Sequence, residues 1–318
     1  MSGHGTPARP AAARRQVDGI LLLDKPEGLS SNAALQRVRR AFNAGKAGHT
    51  GSLDPLASGL LPVCLGQATK ASGLLLDADK TYDFTIALGE RTATGDREGE
   101  IVERAAVPAL DPAGVRRVAA GFQGEQTQVP PMYSALKHGG ERLYRLARKG
   151  VEVERAARRI VIHRLELMGM DGAQLRFEVR CSKGTYVRTL AEDIARALGT
   201  VGHVVRLRRL ALGPFVASGM HELAEVEEAA GNEQVLDAML LAPDAALVAL
   251  PAVHLGAAEQ SCVLQGQPVL VAGPGGSKVR IYGSDGRFLG VGQMTPEGRR
   301  LAPDRIMIDL AAATSATA

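Results

Sequence analysis

The sequence predicts an α+β protein with a mixed central sheet, followed by a small β-barrel. Strand and helix signals are interspersed up to about residue 250, and after Pro251 the chain turns to short strands and tight turns. With 318 residues, 45% of them apolar and 23% charged, it can bury a sizeable core and divides more naturally into two domains than one.

In chain order, residues 1–16 are rich in Ala, Pro and Arg and read as a disordered basic arm, after which a large domain spans 17–250. Ile20 to Leu23 is a short apolar strand, stopped where Pro26 biases Lys25 away from helix. Ser31 is the expected N-cap of a helix whose Leu35, Val38 and Phe42 share a face. Gly45 to Gly59 has no sustained period and is expected to be a long irregular loop, of the kind that tends to carry function. Thr81 to Leu88 alternates, with Tyr82, Phe84, Ile86 and Leu88 against Asp83 and Thr85, which makes a half-buried strand. Asp111-Pro112 opens a helix striped by Val115, Val118, Ala119 and Phe122.

Residues 123–155 mix Pro130-Pro131 with a basic helix from Glu141 to Lys149 and read as a thumb-like surface insertion. Strands follow at Arg159 to Leu167 and Gln174 to Cys181, then a helix capped by Thr185 in which Val187, Leu190, Ile194 and Leu198 recur until Gly199. A strand from Val204 to Leu212 and helices from Ser218 to Leu241 complete the domain. Residues 251–310 carry a helix near Ala257 to Leu264, a hairpin turning at Ser284-Asp285-Gly286 and a strand from Arg305 to Ile308, the pattern of a small barrel. Residues 311–318 read as a disordered tail.

Thirty-eight Lys and Arg against 34 Asp and Glu leave a net charge of only +4. The excess clusters in Arg37 to Arg40, Arg142 to Lys149, Arg155 to Arg164 and Arg206 to Arg209, interleaved with apolar residues, and so points to a polyanion. The richest apolar window, Val235 to Leu250, is broken by Asp237, Pro243 and Asp244, so no membrane span is expected. No apolar run follows the basic start, which makes the cytoplasm the expected compartment. Cys64, Cys181 and Cys262 are far apart and outside any Cys-x-x-Cys spacing, and read as buried apolar residues.

Strict motifs fail in turn. The histidines include no His-Glu-x-x-His or His-x-x-x-His pair, so no metal site is expected, and Gly273 to Lys278 lacks the Gly-Lys-Ser/Thr ending of a phosphate loop. No Gly-x-Ser-x-Gly elbow supports a serine triad. What remains is Lys46-Ala47-Gly48-His49-Thr50-Gly51-Ser52-Leu53-Asp54-Pro55-Leu56-Ala57-Ser58-Gly59. Its glycines permit turns and close approach of a ligand, while Pro55 holds Asp54 extended and presents its carboxylate. Taken alone, Asp54-Pro55 reads first as a turn or an N-cap, and His49 as an ordinary loop histidine.

The whole string resembles the catalytic-loop motif of the TruB-type tRNA pseudouridine synthases. Asp24 to Gly28, Lys80-Thr81-Tyr82, Pro130 to Lys137, Cys181 to Leu190 and Leu207 to Leu210 are similar to further segments of that family, in the same order, so the resemblance covers Gly19 to about Leu250. Ala252 to Leu310 resembles, by position and hairpin pattern, the PUA domain that bacterial members carry.

The resemblance implies a pseudouridine synthase catalytic fold with a PUA-like barrel, and isomerisation of uridine 55 in the T loop of tRNA with no cofactor. Asp54 matches the catalytic aspartate, Arg188 its ion-pair partner, and Tyr82 the ring that stacks on the target uracil. His49 matches the residue that fills the space left by a flipped base, and Leu207 an apolar wall of the base pocket; Lys25 and Lys183 would meet phosphate or order the site. The implied partner is the T stem-loop of tRNA, with no membrane and no obligate protein partner. Plainer readings stand beside these: core packing for Tyr82 and Leu207, solvated charge for Arg188 and the lysines. A tRNA-folding role, alone or beside the chemistry, and a nucleoside hydrolase stay open as functions, and attack at C6, attack at C1′ and a glycal route stay open for Asp54. Ser52, where several relatives carry Thr or Ala, is a small departure.

Overall fold

A computed structural model describes residues 14–134 and 136–308; the expected arm up to residue 13 and the tail 311–318 lie outside them. The arm ends sooner than residue 16, because the Arg15 guanidinium is docked 3.2 Å from Glu233 and 2.8 Å from Asp237.

The central sheet runs in the order His221–Glu222, Gly19–Lys25, Ser58–Leu65, Gly202–Leu212, Lys80–Leu88, Gln174–Cys181, Arg158–Asp171, Gly124–Gln128. It is mixed as expected: Gly19–Lys25 with His221–Glu222 and Ser58–Leu65 with Gly202–Leu212 are parallel, and the other pairs along this path are antiparallel. Phe84, Ile86, Phe177, Val179 and Val204 form a core with Leu35 and Val38 of helix Ser31–Ala41, Val115 of Pro112–Ala120, and Leu190 and Ile194 of Val187–Ala197. Phe84 and Phe177 stack across the sheet at 5.6 Å.

A second core joins Ile20, Leu22, Leu60 and Leu212 of this sheet to Ala246, Leu247, Val291 and Met307. It ties the large domain to a C-terminal sheet of five strands, Ala252–His254, Lys278–Tyr282, Phe288–Met294, Arg300–Ile306 and Val269–Leu270, curled into a half-barrel of the PUA-like kind. No helix of the described residues is long and apolar enough to cross a membrane.

Several expectations shift. Ser30, not Ser31, caps the first helix, since its extended backbone lets its hydroxyl accept from the Ala33 amide at 3.1 Å. Within the expected loop, Ala47–His49 is a strand paired with Ser58–Leu65, too short to show a period in sequence. The thumb-like insertion begins later than residue 123, because Gly124–Gln128 is a sheet-edge strand paired with Arg158 to Ile162; its basic helix is Leu143–Arg148.

The basic clusters also divide. Arg37 is paired with Glu227 and Arg208 with Asp24, while Arg206 lies 3.6 Å from Asp83 and Arg209 is buried. Arg142, Arg145 and Arg148 of the insertion stay exposed.

Candidate active site

Asp54 sits in the coil between strands Ala47–His49 and Ser58–Leu65. Its neighbours Leu53, Leu56 and Ala57 are buried in the main core, which anchors the coil on both sides of it. Polar bonds then fix the backbone. The Ser31 hydroxyl donates to the Leu53 carbonyl at 3.0 Å and accepts from the Leu53 amide at 2.7 Å. On the other side the Pro55 carbonyl accepts from the Gly28 amide at 2.9 Å and from Lys25 Nζ at 3.4 Å. The carboxylate itself is left 40% exposed.

Arg188 meets it. The residue lies in the first turn of Val187–Ala197, and its Nε is 2.9 Å from Asp54 Oδ2 and 3.7 Å from Asp96 Oδ2. Nη1 donates to the Thr94 carbonyl at 2.6 Å and Nη2 to the Tyr133 carbonyl at 2.7 Å, so the buried guanidinium has a fixed orientation. Asp96 is held in turn by Thr94 Oγ1 at 2.6 Å and the Glu98 amide at 3.1 Å. The helix start is not capped by Thr185, whose hydroxyl donates to the Ser182 carbonyl instead. Among the described residues no side chain caps the first-turn amides; Gln128 instead clamps the N-cap residue, accepting from the Tyr186 amide at 2.7 Å and donating to the Tyr186 carbonyl at 3.1 Å.

Tyr82 is half-buried on the same sheet face as Phe84. Burial raises its pKa above the usual phenol value, and the Arg209 charge opposes that rise. His49 is half-buried, and burial, then the charges of Arg209 and Arg142, lower its pKa and favour the neutral ring. Lys25 is fully enclosed, donating to the carbonyls of Pro26 at 2.8 Å and Leu29 at 2.7 Å as well as to Pro55. It braces the coil from within. Leu207 is core, directly across from Phe84. Lys183 is exposed and paired with Asp77 at 2.8 Å, and no contact ties it to Asp54.

The sequence reading therefore named Asp54, Arg188, Tyr82, His49 and Lys25 within one neighbourhood, and missed Ser31, Asp96, Gln128 and Arg209. Strand alternation, which puts Arg209 on the same face as the apolar Leu207, was the available signal for Arg209.

Residues 39–187 match the TruB family pseudouridylate synthase N-terminal domain, 188–248 the tRNA pseudouridylate synthase B C-terminal domain, and 251–307 the pseudouridine synthase II TruB C-terminal domain. The chain is 51% identical to tRNA pseudouridine synthase B of Hydrogenovibrio crunogenus over 92% of its own length and 94% of that protein. It belongs to the TruB family. The enzyme is thus a pseudouridine synthase, an isomerase. It is also 52% identical to tRNA pseudouridine synthase B of Nitrosococcus oceani, over 92% of this chain and 96% of the relative. Among solved structures, a chain of a Cbf5-Nop10-Gar1 complex superposes with a TM-score of 0.71 at 25% identity, covering 91% of this chain and 85% of that one. In this TruB family member the Asp54–Arg188 contact joins the N-terminal match to the first residue of the next.

Proposed function

We propose that this enzyme converts uridine 55 in the T loop of tRNA to pseudouridine, with Asp54 as the catalytic carboxylate and the target base flipped out to reach it. The observation that carries the reading is the 2.9 Å contact between a half-exposed Asp54 and the buried, fully oriented Arg188. The relatives at 51% and 52% identity, named tRNA pseudouridine synthase B, support tRNA as the substrate.

The isomerisation breaks the N1–C1′ bond, turns the uracil and forms a C5–C1′ bond; C5 loses its proton and N1 gains one, with no net redox change. A carboxylate serves such a step as nucleophile, base or stabiliser of positive charge at the ribose. Arg188 keeps Asp54 aimed while the base is exchanged. A loop base must leave its stack to reach the site, and a neutral His49 suits the vacated space because it brings no charge between bases. Exposed Arg142, Arg145 and Arg148 would meet phosphates beside the cleft.

Asp54→Asn tests the reading. It keeps size and turn propensity but removes the charge and the nucleophilic oxygen. With excess enzyme and pre-folded tRNA, the variant should bind within about tenfold of wild type and lose at least roughly 10³ in rate. Conversion near the wild-type rate by a folded Asn variant, or release of free uracil by the wild type, overturns it; mapping the product to another uridine corrects the position.

A further inference from the structure

Arg209 is, among the described residues, the bulkiest side chain to be fully buried, and the chemistry above leaves it without a role. It lies on Gly202–Leu212 directly across from Tyr82, so the two side chains leave the sheet as neighbours on one face. A register shift between Arg209 and Ala211 marks a bulge, a device that re-aims side chains beside sites. On its other side the strand packs so closely that a Cβ at Gly59 would lie 2.3 Å from the Arg209 carbonyl oxygen. That position accepts only glycine.

From there the guanidinium reaches both ends of the segment that presents Asp54: Nε donates to the Leu60 carbonyl at 2.6 Å and Nη2 to the Gly51 carbonyl at 3.3 Å. Among the described residues no carboxylate lies within ion-pair distance of it. Burying an arginine with only carbonyls for company is costly, and an apolar side chain would fill the space without that penalty. The Tyr82 side chain stands beside the same guanidinium, whose charge acts on its hydroxyl. A guanidinium has donors and no acceptor, so a phenol oxygen facing it accepts, and the phenol's own proton must point elsewhere. The negative charge of Asp54 acts on the same hydroxyl.

We propose that Arg209 is a positioning residue for the isomerisation: it clasps the Asp54 segment at Gly51 and Leu60 and turns the Tyr82 O–H toward the uracil. This rests on Asp54 as the catalytic carboxylate, as proposed above, and on Tyr82 as the ring that stacks on the uracil, as the family resemblance implies.

The test is a double-mutant cycle on the full chain. Arg209→Lys keeps the charge but cannot reach both carbonyls from one planar group while facing Tyr82. Single-turnover isomerisation of pre-folded tRNA is measured for Arg209→Lys in the Tyr82 and Tyr82→Phe backgrounds, with tRNA affinity and melting temperature alongside. In the Tyr82 background the rate should fall by about tenfold or more with affinity within about threefold, and in the Phe background by at least about threefold less, because only the clasp on the Asp54 segment is then lost. Equal losses in the two backgrounds overturn the proposal, as does an unchanged rate; a purely structural role moves both backgrounds alike. Should the Lys variant fail to fold, Arg209→Gln, which is shorter and keeps a donor, runs through the same cycle with the same outcomes. Asp54→Asn is measured in parallel. If it stays active, the reading of the site fails; if it is inactive while the Arg209 cycle is additive, only the role of Arg209 fails.

Discussion

The coil around Asp54 and the insertion after Gln128 are both irregular stretches with glycine and proline, and the fold holds them in opposite ways. Around Asp54, distant side chains claim the backbone: Ser31 at Leu53, Lys25 at Pro55, Arg209 at Gly51. In the insertion the backbone bonds run from Leu143 to Leu136, Tyr144 to Ser134 and Gly150 to Ala147, and Arg142, Arg145 and Arg148 face outward. The Tyr133 carbonyl connects it to the site through Arg188. Irregular backbone becomes a rigid mount when remote donors and acceptors satisfy it. Left to local turns, it is a surface for a partner with charge of its own.

Beyond Asp54→Asn, the contrast breaks most sharply at Arg188. Arg188→Lys keeps one positive charge but cannot serve Asp54, Thr94 and Tyr133 from one plane, so the single-turnover rate should fall by about 10² or more. A rate within about fivefold of wild type would separate catalysis from that orientation.

Ser31→Ala comes next. It strips both bonds from Leu53 and leaves a buried amide and carbonyl without their partner, costing about 1–3 kcal/mol in urea unfolding. The rate should drop by roughly tenfold with tRNA affinity unchanged, since a slackened coil misplaces the carboxylate. A stable variant of normal rate would show that burial of Leu53 and Leu56 alone suffices.

The insertion should behave the other way. Replacing Arg142, Arg145 and Arg148 together by Ala should weaken tRNA binding by about tenfold and flatten its salt dependence, while saturated turnover stays within about threefold. Loss of turnover at normal affinity would move these residues from binding into the chemistry.

The smallest effect concerns Lys25, whose pKa burial lowers from 10.5 to about 8, against the opposing charge of Asp54. The folded state then binds fewer protons than the unfolded chain between about pH 8 and 10.5, so the stability contribution of Lys25 is constant below that window and rises with pH through it. The melting temperature of wild type relative to Lys25→Met should therefore move in favour of wild type from neutral pH to mildly alkaline pH. The opposite drift would mean that the ammonium is favoured by its carbonyl partners more than it is penalised by burial.

The C-terminal region shows why a sequence boundary is not an energetic one. Pro251 marks a change of pattern, but Val291 and Met307 share a core with Ile20 and Leu60, and Lys70 Nζ donates to the Ile306 carbonyl at 2.7 Å. Cutting at the boundary would expose apolar surface on both sides.

By itself the sequence determined the elements and the reactive pieces. Alternation exposed the Lys80–Leu88 strand, helical spacing exposed Val187–Ala197 with Arg188 in its first turn, and Asp54-Pro55 among glycines announced a presented carboxylate. These are local properties, carried by the period of apolar residues and the dihedral limits of Pro and Gly. The pairing of Asp54 with Arg188 was implied by the family resemblance, whereas tertiary structure alone decided that Asp96 stands behind that pair and that Gln128 rather than Thr185 holds the helix entry. It also decided that Ser31 serves Leu53 and that Arg209, read as part of a basic surface, is buried behind the Asp54 segment. Periodicity records which side of an element is apolar. It does not record which distant carbonyl satisfies a buried donor, and that pairing is settled only when the sheet assembles and every enclosed polar group must find a partner.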